Sequence, residues 1–140
     1  MPAKLTKDEI HEYLDSRPGW IILTTLGRDG VPHTIPIGYF RLGDEVYIGG
    51  RDGTQKVKNV ERNPTVTVLV QSGSSMQDIK GVMIQGTGTV IREPEEFLRL
   101  SRESMRQRGA PESAWPTEAR PGAVYIKVTP RKYISWDYSR

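Results

Sequence analysis

Two prolines, Pro32 and Pro36, stand inside a run that otherwise reads as a β-strand, Val31-Pro32-His33-Thr34-Ile35-Pro36-Ile37-Gly38-Tyr39-Phe40. Proline has no N–H to give a neighbouring strand, so this segment fits only a sheet edge or a bulge. The residues before it supply a partner. Trp20-Ile21-Ile22-Leu23-Thr24-Thr25-Leu26 is rich in branched and aromatic side chains, and Gly27-Arg28-Asp29-Gly30 supplies a glycine-bearing turn between the two runs. A β-hairpin with one irregular edge follows. That edge has two readings of equal weight on local grounds. It is a plain edge strand, or it is a strand against which a flat ligand lies, with Gly38 removing a side chain where something approaches the backbone.

The rest of the chain repeats the rhythm of short strands and turns. Leu42-Gly43-Asp44-Glu45 leads into Val46-Tyr47-Ile48, and Thr65–Val70 alternates with Val66, Val68 and Val70 on one face. In the long strand Val82–Ile91, Gly86 and Gly88 share a face, which predicts close packing or a bend at a barrel corner. A last strand starts at Ala123–Val128, passes Thr129-Pro130-Arg131 and ends in Lys132–Tyr138. Its aromatic residues Tyr133, Trp136 and Tyr138 must pack inward or meet a partner.

Three helices are marked by their ends. Thr6 and Glu9 form a capping box, Leu5 staples onto Ile10, and Ile10, Tyr13 and Leu14 make one apolar face before Arg17-Pro18-Gly19. Glu93-Pro94-Glu95-Glu96 opens another, which runs through Phe97 and Leu98 to Gly109. The pattern predicts helices near 6–16, 54–62 and 94–108, with loops at Gln71–Lys80 and Ala110–Pro121. About six strands with three flanking helices predict a mainly β fold. The expected form is a six-stranded antiparallel barrel, with residues 1–140 as a single domain.

Composition narrows the chemistry. There is no cysteine, so disulfides, zinc ribbons and thiol catalysis are excluded. His11 and His33 have no metal-ligand spacing, and neither has an identifiable acid to orient it as a catalytic base. No catalytic side chain and no metal site are assigned. No run reaches membrane-span length and the N-terminus has no apolar signal region, so a cytoplasmic protein without a membrane association is expected. If the chain is an enzyme, the reactive atom belongs to a cofactor.

The stretch Arg51-Asp52-Gly53-Thr54-Gln55-Lys56-Val57-Lys58-Asn59-Val60-Glu61-Arg62-Asn63-Pro64 is the one place where a charged ligand is suggested. It follows a strand ending in Gly49-Gly50 and opens a short helix that Thr54 or Asp52 is expected to cap. Such a passage offers an anion free N–H groups, the positive end of a helix dipole, a hydroxyl and nearby cations. A phosphate would sit on Thr54, Lys56 and Arg51. The competing reading is a solvated basic helix, and the stretch matches neither a Walker loop nor a dinucleotide fingerprint. Nucleic acid is a weaker rival. Arg51, Lys56, Lys58 and Arg62 would meet phosphates while Tyr47 or Trp136 stacks on bases, but a net charge of only +3 argues against it.

The pairing of Asp29-Gly30-Val31-Pro32-His33 with Thr54-Gln55-Lys56-Val57-Lys58-Asn59, and the ending Val128-Thr129-Pro130…Ile134-Ser135-Trp136-Asp137, resembles the pyridoxamine 5′-phosphate oxidase-like split-barrel family. More narrowly, the chain is similar to its small flavin- or deazaflavin-dependent oxidoreductases. The resemblance runs from Thr6 to Tyr138. It implies a homodimer of split barrels that holds coenzyme F420 (a deazaflavin) or FMN in grooves at the subunit interface. Thr34, Ile35, Pro36 and Ile37 would run beside the ring. Arg51, Thr54, Gln55 and Lys56 would hold the phosphate. Asn59 fits the same motif or makes a structural bond, and Trp136 would reach the groove of the other subunit.

The implied activity is two-electron reduction of a small unsaturated or carbonyl-conjugated substrate. The alternatives are an FMN-dependent reductase or oxidase, an electron carrier, or a barrel that binds cofactor without turnover. The deazaflavin is preferred because its oligoglutamate tail would meet the further cations Lys58, Arg62 and Lys80. The resemblance does not extend to the arginine- and histidine-bearing C-terminal segment with which true pyridoxamine phosphate oxidases hold the vitamin phosphate, so vitamin B6 oxidation is not expected.

Overall fold

The computed structural model describes residues 2–140. Seven antiparallel strands form one sheet in the order β2-β1-β5-β6-β7-β4-β3. The strands are β1 Ile21–Leu26, β2 Pro32–Ile37, β3 Tyr39–Leu42, β4 Glu45–Arg51, β5 Thr65–Ser72, β6 Lys80–Ile91 and β7 Ala123–Asp137. Helix α1 is Lys7–Ser16, α2 is Gln55–Arg62 and α3 is Pro94–Gln107, with a short 3-10 turn at Glu112–Ala114. The three expected helices are all present.

The strand count differs from the six expected because the run Val31–Phe40 is two strands. Ile37 still pairs with Ile21 of β1, whereas Tyr39 pairs with Ile48 of β4. The chain changes partners at Gly38, so β2 and β3 become the two edges of a sheet that curls towards closure. Pro32 and Pro36 lie on that free edge, as their missing N–H groups require.

The core fills the inside of the curl. Ile21, Leu23, Ile48, Val68, Ile84 and Ile126 are fully buried there, and α2 adds Val57 and Val60. Gly88 lets that helix approach, since a Cβ on it would lie 3.0 Å from Val60 Cγ1 and 3.1 Å from Val66 Cγ1. Gly86 makes the bend. The β6–β7 register slips between Gln85 and Gly86, which leaves Arg131 as an extra residue, and a Cβ on Gly86 would collide with the Thr129 carbonyl. Both roles expected of the glycine pair are present.

The Thr6–Glu9 capping box forms with both of its hydrogen bonds, and Leu5 and Ile10 are buried together in the core. The buried Tyr39 hydroxyl donates to the Leu14 carbonyl at 2.5 Å and ties α1 to β3. On the outer side of the sheet, α3 buries Leu100 against Phe40 and Tyr47, with Tyr125 packed beside them.

Candidate functional site

At the mouth of the barrel, β4 ends at Arg51 and a tight turn through Gly53, with φ 83°, delivers the chain into α2. A side chain other than glycine would be strained there. Thr54 occupies the N-cap position but makes no capping bond. Its hydroxyl instead donates to the Arg51 carbonyl at 2.8 Å. Asp52 does not cap the helix either. It pairs with Arg92 at 2.8 Å, and Arg92 also takes Glu61, near the far end of α2, at 2.7 Å, so one guanidinium bridges the turn and the helix. These bonds raise the Arg92 pKa above its ordinary value. The first-turn amides of α2 are therefore left without a side-chain acceptor.

Lys56 is the second residue of that first turn. Its stem crosses Gly50, where a Cβ would sit 3.2 Å from Lys56 Cε and 3.6 Å from its Nζ. The side chain is half-buried, and none of the ion pairs among the described residues involves it. Burial holds its pKa below the ordinary lysine value. An anion would reverse that cost. Arg51 is exposed at the end of β4 and donates to the Pro121 carbonyl at 3.4 Å.

Gln55 and Asn59 belong to a different network. Gln55 Nε2 donates to Asn59 Oδ1 at 2.7 Å, and Arg62 donates to the same oxygen at 3.0 Å and to the Leu26 carbonyl at 2.7 Å. The fully buried Asn59 then donates to Thr25 Oγ1 at 3.0 Å. Of the two roles open to Asn59 in the sequence, the link from helix to strand is the one with visible bonds.

Along β2, Ile35 and Ile37 point inward against the core, while Thr34 and Pro36 are exposed. His33 pairs across the hairpin with Thr25, and its Nδ1 is buried without a partner. Between this hairpin and α2 lies an open pocket of about 500 Å³ that His33, Gln55 and Asn59 help to line. Arg28, Lys58 and Arg62 surround a second hollow on the outer side of α2.

Two sequence expectations need correction. Lys80 is not near α2. It starts β6 at the far end from Gly88, 3.9 Å from Asp137 Oδ2 and 4.9 Å from the centre of the Tyr13 ring. Tyr47 is only 5% exposed and stacks on Phe40, so it offers no platform to a base. Trp136 lies at the Lys80 end as well, with its indole over Gly81, where a Cβ would fall 2.5 Å from Cζ2. Within one chain it is not brought together with Lys56.

Sequence reasoning missed an aromatic cluster of Phe40, Tyr47, Phe97 and Tyr125, spread over four elements. It also treated Trp20 only as a strand residue, although that side chain is 69% exposed and stands beside Gly38.

The family model for pyridoxamine 5′-phosphate oxidase matches residues 6–137. The chain belongs to this family. No curated protein matches the sequence. Among solved structures, the fold is similar to the conserved hypothetical protein Rv2991 from Mycobacterium tuberculosis, with TM-score 0.82, 23% identity, and 96% of this chain and 86% of that one covered. An F420 reductase aligns with TM-score 0.66 and 20% identity over 88% of this chain and 94% of its own. An FAD-binding protein from Mesorhizobium loti aligns with TM-score 0.69 and 17% identity over 96% of both chains. At these identities the likeness shows a shared split-barrel fold. No helix among the described residues is long and apolar enough to cross a membrane.

Proposed function

We propose that this chain is an oxidoreductase of the split-barrel family that binds coenzyme F420 or FMN at the interface of a homodimer and reduces a small unsaturated or carbonyl-conjugated substrate. The observation that carries the reading is Lys56, a half-buried cation with no acidic partner, set in the uncapped first turn of α2. A cofactor phosphate satisfies both at once. Arg51 adds a second cation, and the Thr54 hydroxyl reaches the phosphate by rotating away from the Arg51 carbonyl. Asn59 and Arg92 keep the helix and turn in place.

The ring is assigned to the free edge of β2. Thr34 shares strand parity with Pro32 and Pro36, the parity at which a nitrogen faces the open edge. Its backbone N–H and C=O would then meet the polar rim of a flat ring, with Ile35 and Ile37 fixing the strand from inside. When bound, the cofactor supplies two-electron transfer to the substrate, and no proton donor is assigned from the protein.

A dimer is supported by the outer face of the sheet. Pro36, Ile22, Leu69, Met83 and Ile134 are successive cross-strand partners in one row over β2, β1, β5, β6 and β7, and none of them is fully buried. Trp20 and Trp136 stand beside this row. A second copy covering it would bury the row and could bring Trp136 of the partner subunit to the groove.

We favour the deazaflavin because Arg28, Lys58 and Arg62 line one hollow beside α2, where an oligoglutamate tail would lie, and the one acid there, Glu61, is paired with Arg92. Titration of apo-protein with F420 and with FMN at matched ionic strength tests the choice. Tighter F420 binding that weakens with added salt is expected. Micromolar FMN binding with no F420 binding would remove the preference, and binding of neither would remove the oxidoreductase reading.

A further inference from the structure

Outside the barrel, α3 and the segment 110–121 enclose a groove over the outer face of β3, β4 and β7. Its cavity is about 520 Å³, within the usual range for small-molecule sites. The walls are aromatic. Phe40 stacks on Tyr47 with ring centres 5.2 Å apart, Phe97 stacks on Tyr125 at 4.7 Å, and the edge of Tyr125 meets Phe40 at 5.6 Å. Gly49 is the gap between them. A Cβ there would meet only Tyr125 Cε1, at 4.0 Å, so a longer side chain would stand in the cavity itself.

The roof is held in place rather than loose. Trp115 Nε1 donates to the Ala110 carbonyl at 3.0 Å, Arg102 to Pro116 at 3.0 Å and Arg51 to Pro121 at 3.4 Å. Arg108 and Arg120 line the cavity, and neither has a carboxylate partner among the described residues. Glu118 is the one acid in the lining. Ile37 and Gly38, where the proposed cofactor strand ends, form part of the wall.

We propose that this groove binds a flat, largely apolar ring carrying one anionic group, and that it is the substrate pocket. The ring would lie at the Gly49 gap against the partly buried Tyr125, over a floor of the nearly buried Phe40, Tyr47 and Phe97, with its anion towards Arg108 and Arg120. The assignment as substrate pocket rests on the cofactor reading above, whereas the binding of an aromatic anion does not.

Calorimetric titration of the purified protein with 2-naphthoate, and with 2-naphthylmethanol as its neutral counterpart, tests the proposal. The wild type is expected to bind 2-naphthoate with a Kd of about 100 µM or tighter. Gly49→Leu should weaken both probes about ten-fold or more by filling the cavity. The surface double variant Arg108→Ala/Arg120→Ala should weaken naphthoate about five-fold and leave the alcohol within about two-fold. FMN affinity should be unchanged in both variants.

Naphthoate binding Gly49→Leu as tightly as wild type would overturn the site. Equal losses of acid and alcohol in the arginine variant would overturn the anionic class. Naphthoate binding by a protein that takes up neither F420 nor FMN would sink the cofactor reading and leave the groove standing, and a protein that binds FMN but not naphthoate would do the reverse.

Discussion

Helices α1 and α2 both begin at a threonine in an extended conformation, yet the two ends are built differently. Thr6 accepts from the Glu9 amide at 3.2 Å while Glu9 returns a bond to the Thr6 amide at 2.9 Å, and the end is closed. Thr54 turns its hydroxyl back to Arg51, Asp52 is taken by Arg92, and the end stays open next to an unpaired lysine. The end of α1 is closed by its own side chains. The open end of α2, with its half-buried cation, carries a desolvation cost that a bound anion would offset.

The contrast can be broken first at Asn59, which fixes the open end in space. Asn59→Ala leaves Gln55, Arg62 and Thr25 without their shared partner, and a loss of about 2–3 kcal/mol is expected in urea unfolding. A loss well below about 1 kcal/mol would show that α2 is held by Val57 and Val60 alone.

Lys56→Ala should leave stability near wild type, or raise it slightly, while weakening cofactor binding about ten-fold or more. Lys58→Ala is the control and should change affinity much less. Equal effects at both positions would mean diffuse attraction to a basic helix instead of a defined cradle.

The two threonines sharpen the comparison in stability. Thr6→Ala should cost about 1 kcal/mol because it opens a complete capping box. Thr54→Ala should cost under about 0.5 kcal/mol, since the exposed bond to Arg51 caps nothing. Thermal melts of the two variants side by side give the answer, and a larger loss at Thr54 would mean that the open end is structural after all.

A smaller effect is expected from pH. Burial lowers the Lys56 pKa in the free protein, and a bound phosphate would raise it. Affinity should therefore be highest below the lowered pKa and fall as pH rises through it, ahead of the ordinary lysine value of 10.5. The sign for folding is opposite. Between the lowered pKa and 10.5 the unfolded chain binds more protons at this residue, so its contribution to stability rises with pH. Lys56→Ala should flatten both profiles.

Much of this architecture was legible in the sequence because it is specified locally. The capping box, the edge prolines and the Gly86/Gly88 pair each announce a short-range steric or hydrogen-bonding demand. The open α2 terminus was only half legible. Its spacing pointed to an anion site, but Asp52 pairs with Arg92 across the fold, and sequence distance gave no sign of that. The break at Gly38 was hidden because a change of strand partner is a tertiary event. The groove under α3 was hidden because Phe40, Tyr47, Phe97 and Tyr125 meet only when four elements pack. Lys80 was misplaced because a position after a loop says nothing about which end of the barrel the loop serves.

The central claim is that Lys56 and the open end of α2 grip a phosphate. Fluorescence titration of the wild type and Lys56→Ala with FMN and with riboflavin isolates that phosphate, since the two ligands share everything else. The wild type is expected to prefer FMN by about ten-fold or more, and Lys56→Ala to lose most of that preference while riboflavin binding changes little. Equal affinity of the wild type for FMN and riboflavin, or a preference for FMN that survives in Lys56→Ala, would contradict it.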